Sequence, residues 1–140
     1  MVNNPEEFQK MYIEFQELHN NIKQLEKQSA ALENQLMDLL MTNQGLDDMK
    51  STEIGAEILV PLSSGIYAKA ELKDNKNFIV NVGSNITLSK SVDDTKKLIV
   101  GQIDEMQQIQ KNLSEQLQSN TLKAALLEKE ISKIASTAEK

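Results

Sequence analysis

Few side chains in this sequence could build a catalytic or metal-binding site. Among 140 residues there is one histidine, His19, and no cysteine, so neither an imidazole pair nor a thiolate cluster can form. Adjacent acids occur at Glu6-Glu7, Asp47-Asp48 and Asp93-Asp94, and carboxylate pairs can serve general acid–base catalysis or bind cations. Near predicted helix ends, however, acids far more often interact with the helix dipole or with solvent. The sequence therefore predicts no enzyme, no metal site and no cofactor.

Nucleotides, nucleic acids and membranes are equally poor matches. Residues 83–87 contain a glycine-rich turn but lack the spacing and the Gly-Lys-Ser/Thr of a phosphate-binding loop. The net charge of −6 and the lack of arginine argue against nucleic acid as a partner. No apolar run approaches the roughly 20 residues of a membrane span, and the acidic first nine residues do not resemble a signal peptide. The expected location is the cytoplasm.

The first 50 residues carry a heptad repeat. Asn4 can cap a helix, Pro5 suits its first position, and apolar residues then recur at alternating intervals of three and four. Only Ser29 and Asn43 interrupt this stripe, a pattern typical of a coiled coil. The stripe comprises Phe8, Met11, Phe15, Leu18, Ile22, Leu25, Leu32, Leu36, Leu39 and Leu46.

A second heptad helix is predicted over residues 91–139. Ser91, with Asp94 three residues later, resembles a capping box. At 1.5 Å per residue both helices reach roughly 65–70 Å, so the chain is expected to fold back into an antiparallel two-helix coiled coil. We predict a register that pairs Phe8 with Ile134 and Leu46 with Lys96. The second stripe comprises Ile99, Ile103, Met106, Leu113, Leu117, Ala124, Leu127, Ile131, Ile134 and Ala138, interrupted by Gln110 and Asn120.

Between the helices, residues 55–90 change to a period of two. Four alternating runs are separated by turn-forming segments at 63–65, 74–76 and 83–85, which predicts four short strands in two hairpins. Pro61 cannot donate a ladder hydrogen bond, so its strand is expected at an edge or a bulge. Four strands with one apolar face cannot cover themselves, which predicts strand-mediated oligomerisation. The residues assigned to assembly are Ile58, Val60, Leu62, Ile66, Ala68, Phe78, Val80 and Val82.

The free end of the predicted coiled coil is rich in large apolar side chains. Phe8, Tyr12 and Phe15 are three of the five aromatic residues, and Met1 and Val2 lie near them. They either cap the seam or form an exposed, adaptable tip that binds other apolar chains. The residues assigned to this binding tip are Phe8, Met11, Tyr12, Phe15, Ile131, Ile134 and Ala135.

The complete pattern resembles archaeal-type α-class prefoldin over nearly the whole chain. The most specific segments are EILVPL at 57–62, GIYAKA at 65–70 and VNVGSNI at 80–86, which resemble the two family hairpins. β-class prefoldins have one hairpin, so four strands favour the α class. Ser89 precedes Lys90 where the family often has an acid, a small departure from the pattern.

This resemblance implies a single prefoldin-like domain over residues 1–140, with helices at 5–50 and 91–139 and an assembly region at 55–90. The implied fold class is α+β, with the four-stranded insert oligomerising into a β-barrel body. The implied partners are β-class subunits, two α with four β in a hetero-hexamer. The implied function is an ATP-independent holdase for protein folding. Its coiled-coil tips bind unfolded proteins and pass them to a group II chaperonin, which archaea and eukaryotes both have.

Two other functions fit the same residues. Open strand edges could let the chain assemble with itself into a structural filament, and sizing the purified chain would distinguish this from a hetero-hexamer. Alternatively, the coiled coil could be a scaffold whose tip binds one folded partner, which a pull-down would identify.

Overall fold

The chain forms two long helices and four short strands, which confirms the predicted fold class. This computed structural model describes residues 5–138, with side chains as far as Ser136, so Met1, Val2, Asn4 and the side chain of Ala138 lie outside the described part. The elements in chain order are α1 (Pro5–Lys50), β1 (Glu57–Ser63), β2 (Ile66–Glu71), β3 (Asn77–Gly83), β4 (Ile86–Ser91) and α2 (Val92–Ala138).

The predicted apolar stripe is the less exposed face of each helix. On α1, every stripe position from residue 8 to residue 46 is half-buried or buried, and nearly all positions between them are exposed. On α2 the same holds from residue 99 to residue 134. The polar interruptions Ser29, Asn43, Gln110 and Asn120 are also half-buried, so they lie on the same face as the apolar residues. The 3.5-residue period predicted from the sequence is therefore confirmed.

The described residues form two compact units. Unit 1 comprises residues 5–35 with 106–138, and unit 2 comprises Leu36–Glu105. No described side chain of unit 1 is fully buried. The prediction of one domain over residues 1–140 stays a prediction.

Unit 2 contains the buried core of the described chain. Leu46, Ile99 and Ile103 form a buried cluster, against which Leu36, Leu39 and Phe78 pack. Because Phe78 lies in β3, this cluster joins the third strand to the helices.

Ion pairs within unit 2 agree with an antiparallel helix pair. Lys96 contacts Asp47, the neighbour of the Leu46 that was predicted to face it. Lys50 lies 3.7 Å from Asp93, but both side chains are well exposed, so this second pair adds little stability.

The four strands form two separate two-stranded sheets. Hairpin 1 pairs β1 with β2, and hairpin 2 pairs β3 with β4, both antiparallel. Ser84 and Asn85 have φ angles of 51° and 61°, the positive values that a type I′ turn requires. The register of hairpin 1 shifts between Pro61 and Ser63, an irregularity in the strand that was expected at an edge or a bulge, and hairpin 2 shifts in the same way between Asn81 and Gly83.

Side-chain hydrogen bonds fix the start of α2. Ser91 Oγ accepts a hydrogen bond of 3.1 Å from the backbone N–H of Asp94, which confirms Ser91 as the N-cap. The hydroxyl of Thr95 donates a hydrogen bond of 2.7 Å to the Ser91 carbonyl. Ser91 thus ends β4 and begins the following helix.

A tight turn built on Asp74 leads from β2 into β3. Its carboxylate accepts hydrogen bonds from the backbone N–H of Lys76 at 2.8 Å and of Asn77 at 3.1 Å. These bonds favour the charged carboxylate and hold the pKa of Asp74 below its usual value.

Candidate functional site

The residues assigned to the binding tip all lie in unit 1, and we call them the terminal surface. Phe8, Met11, Phe15, Ile131 and Ile134 are half-buried, whereas Tyr12 and Ala135 are exposed. A seam between two helices shields only one flank of each side chain, which explains why these large residues retain accessible apolar area. The terminal surface can therefore offer apolar contacts without first unfolding.

An aromatic groove runs along the α1 part of the terminal surface. The rings of Phe15 and His19 stack with centroids 6.3 Å apart and an interplanar angle of 16°. Tyr12, Gln16 and Asn20 complete the lining of this open groove. Aromatic faces can take up apolar side chains, and the two amides can hydrogen-bond to a peptide backbone. His19, expected as a solvated or half-packed histidine, is exposed and stacks on Phe15.

Sequence reasoning missed four exposed apolar residues of unit 1. Leu122 and Leu126 are 62% and 58% exposed, and Ile13 and Ile109 are also exposed. They lie outside the heptad stripe, so a search for the stripe passes over them. The available signal was an aliphatic side chain at a helix position that normally carries a polar one.

The residues assigned to assembly follow the apolar faces of the hairpins. Ile58, Ala68, Phe78 and Val80 are half-buried. The remaining four are exposed and lie closer to the hairpin turns: Val60, Leu62, Ile66 and Val82. Each hairpin thus has a covered base and an uncovered tip.

The opposite faces of the hairpins are apolar as well, which the sequence analysis did not predict. Leu59, Tyr67 and Ile79 are 60%, 58% and 74% exposed. Leu59 pairs with Lys69, and Pro61 pairs with Tyr67. Leu59 and Tyr67 therefore lie on the face of hairpin 1 opposite Val60. Hairpin 1 therefore has uncovered apolar side chains on both of its faces.

Uncovered apolar residues are concentrated in unit 2. Fifteen of the 20 exposed large hydrophobic residues of the described chain lie between Leu36 and Glu105, and five lie in unit 1. Those of unit 2 include Met37, Leu40 and Met41 on α1. Because the two units are similar in length, unit 2 has the greater need for a covering partner.

The described part of the chain has neither a cluster of metal-ligating side chains nor a membrane-spanning helix. No three histidine, cysteine or acidic side chains among the described residues are grouped so that they could hold a metal ion. None of the helices within residues 5–138 is long and apolar enough to cross a membrane.

Comparison with known proteins identifies relatives over most of the chain. The chain is 23% identical over 135 residues to prefoldin subunit alpha of Methanococcus vannielii, covering 96% of this chain and 90% of that protein. It is 23% identical to prefoldin subunit alpha of Archaeoglobus fulgidus, covering 84% and 91%. A 64-residue stretch is 39% identical to prefoldin subunit alpha of Thermofilum pendens, covering 46% and 50%.

A solved structure shows the same fold. Filamentous PFD from Methanocaldococcus jannaschii, determined by cryo-EM, matches with a TM-score of 0.71 at 20% sequence identity, covering 80% of this chain and 93% of that chain. Residues 18–137 match the family model described as prefoldin subunit. That match spans far more than half of the sequence and agrees with the two helices and two hairpins described above. The chain therefore belongs to the prefoldin family, and the relatives it resembles are α subunits.

Proposed function

We propose that this chain is a holdase subunit that binds unfolded proteins on its terminal surface without ATP. Membership of the prefoldin family makes it a subunit of a chaperone that assembles as an oligomer. The observation that carries the finer proposal is the incomplete burial of Phe8, Met11 and Phe15 in a narrow seam, beside the exposed Tyr12. An unfolded protein presents apolar segments, which are the ligands such a surface attracts.

Weak contacts at several copies of the terminal surface would give useful affinity. Three aromatic rings and a few aliphatic side chains bury too little area for tight binding by one subunit. When several subunits hold one client, each further contact is intramolecular, so the total affinity rises by avidity. Each contact can still dissociate alone, which lets the client leave without nucleotide hydrolysis. The net charge of −6 opposes aggregation between assemblies.

Assembly is assigned to the hairpins of unit 2. The proposed complex is a hetero-hexamer of two α-class and four β-class subunits, joined through a β-barrel body. It would act in the cytoplasm and pass its clients to a group II chaperonin. The support from this chain is the concentration of exposed apolar side chains in unit 2, including Val60, Leu62 and Ile66.

The test uses a chemically unfolded reporter protein diluted into the assembled complex without nucleotide, with aggregation followed by light scattering. Wild-type complex should suppress aggregation, and removal of residues 1–15 and 127–140 should abolish suppression while leaving assembly intact. Tyr12→Ser is a milder change, because Tyr12 is exposed and its loss should not disturb the seam. Ile109→Ser, at a similarly exposed position of unit 1 outside the terminal surface, is the matched control and should retain full suppression. Equal suppression by the truncated and complete chains would contradict the proposal.

A structural role is the second candidate, because the similar Methanocaldococcus jannaschii protein is described as filamentous. The unpaired edges of the two-stranded sheets would allow the same here. Light scattering of the purified chain alone distinguishes the two functions, because long polydisperse particles favour the filament. A scaffold with one folded partner would instead give specific capture of that partner and no suppression of aggregation.

A further inference from the structure

The aromatic groove on α1 consists of a row of rings beside a row of amides. The rings belong to Phe15 and His19, which are four residues apart. Each ring residue is followed directly by an amide residue, Gln16 or Asn20. Successive residues of an α-helix are about 100° apart around its axis, so the amides form a second row beside the rings. The amide row lies farther from the seam, because both amide residues are exposed whereas Phe15 is half-buried.

The two amides of the groove are free to bind a ligand. Farther along α1, the side-chain amide of Gln44 donates a hydrogen bond of 3.2 Å to Asp48, four residues later. The side-chain amides of Gln16 and Asn20 have the same spacing, but they make no hydrogen bond to any group within residues 5–138. Each of them offers both a carbonyl acceptor and N–H donors. The backbone of a peptide in the groove could therefore bond to both.

The spacing of both rows matches an extended peptide. The ring centroids of Phe15 and His19 are 6.3 Å apart, and the helix rise separates the two amides by about 6 Å along the axis. In an extended strand, side chains on one face and backbone groups on one edge both recur every second residue, at about 6.6–6.8 Å. The side chains of a strand stand roughly perpendicular to its backbone edge, and the rings and amides are separated by a similar angle.

Other ligands fit this groove less well. The backbone groups inside a helical segment bond within the helix, so the amides would find no backbone partner there. A stable interface with a folded protein uses roughly 20–30 residues on each side, whereas five residues line the groove. None of the five is an acid, a lysine or an arginine, which disfavours a charged ligand. A short, uncharged, extended segment remains.

We propose that the aromatic groove selects extended segments of unfolded proteins with a large apolar side chain at every second residue. Phe15 and His19 contact two of these side chains, and the amides of Gln16 and Asn20 hydrogen-bond to one backbone edge of the segment. The two amide residues are thus specificity-determining residues outside the apolar set that was assigned to client binding. This inference rests on the proposed client binding and specifies the conformation of the bound segment.

A double substitution that adds apolar area to the groove tests the role of the amides. The groove variant combines Gln16→Met with Asn20→Leu, which nearly preserves the shape of both side chains and suits a helix. If apolar contact alone held the client, this variant would bind more tightly, whereas backbone recognition by the amides predicts weaker binding. The matched control combines Gln24→Met with Gln28→Met, because these exposed amides are also four residues apart on α1.

Binding is measured by fluorescence anisotropy with the assembled complex and two labelled peptides of identical composition. Both contain only valine and alanine between terminal lysines, so inside the peptide the amides can bond to the backbone alone. One peptide has valine at every second position, and the other has the same valines at intervals of three and four. We expect the wild-type complex to bind the alternating peptide about tenfold more tightly, and the groove variant to lose about that factor, as for two hydrogen bonds. The matched control should bind as wild type does.

Three results would overturn the proposal: equal binding of both peptides by wild type, binding of neither, or undiminished binding of the alternating peptide by the groove variant. Suppression of aggregation is measured separately on the same complexes. A complex that suppresses aggregation but does not distinguish the peptides would support the proposed function and refute this inference. A complex that prefers the alternating peptide through its amides but suppresses no aggregation would refute the proposed function and support this inference.

Discussion

Replacing Asn43 with leucine should stabilise unit 2. Asn43 occupies a stripe position on α1, three residues before the buried Leu46. Its side-chain oxygen Oδ1 is shielded from solvent and accepts no hydrogen bond from any residue within the described part of the chain. A shielded acceptor without a hydrogen-bond partner lowers the stability of the folded state. Leucine removes this acceptor, and its side chain branches at Cγ as that of asparagine does.

The expected gain can be estimated from three contributions, of which two stabilise the variant and one destabilises it. An unsatisfied shielded acceptor costs about 1–3 kcal/mol. Half-burying a leucine, as at the neighbouring Leu39, contributes about 1 kcal/mol, from roughly half of the full burial value. The larger side chain can introduce strain that costs about 1 kcal/mol or more in a packed layer. We therefore expect Asn43→Leu to raise the free energy of unfolding by about 2 kcal/mol, and Tm by roughly 4–8 °C at this chain length.

The assay is urea unfolding followed by helical circular dichroism at fixed protein concentration. Asn34→Leu is the matched control, because Asn34 is exposed on the same helix and its replacement should change stability by less than about 0.5 kcal/mol. A midpoint for Asn43→Leu at or below that of the control would refute the reasoning. That result would mean that the asparagine is satisfied in solution, or that it contributes more by fixing the helix register than it costs in desolvation.

Three further substitutions test local features. Gly101→Ala should raise the free energy of unfolding by about 1 kcal/mol in thermal or urea melts, because Gly101 is helical and an added Cβ meets no atom within 4 Å. Ser91→Ala should lower the same quantity by about 1 kcal/mol, because it removes the cap on the Asp94 N–H; an unchanged melt would count against the cap. Asp74→Ala should destabilise the chain at neutral pH. Because the folded-state pKa of Asp74 is depressed, its contribution is complete above the usual pKa near 4 and is lost as pH falls through the lower folded-state value, so wild type and variant should converge in acid. A difference that stays constant down to the lowest pH would contradict this.

The helices and their seam were predictable because helix geometry determines the spacing of the apolar stripe. A residue that must meet the partner helix returns every 3.5 positions, so even Ser29 and Gln110 could be placed on the seam from their spacing alone. Local chemistry also predicted the Ser91 cap, since it follows from the hydroxyl that this side chain has.

The second apolar face of hairpin 1 was not predictable by the same reasoning. Strand alternation was interpreted as one apolar face and one solvent face, which holds for a sheet that packs against a core on one face only. Leu59 and Tyr67 break that rule because the hairpin is not a complete sheet by itself. The residues of the terminal surface could be named from composition, but their partial burial depends on how narrow the seam is, which spacing does not reveal.

The separation of the strands into two isolated hairpins bears on how the cell controls the supply of this subunit. A two-stranded sheet in water is marginally stable at best, so the hairpins of an unassembled chain should open often and be cut readily by proteases. Once neighbouring chains complete the sheets, the same segments should resist cleavage. Surplus subunits would then be removed faster than assembled ones, so degradation could keep the ratio of subunits correct without a dedicated regulator.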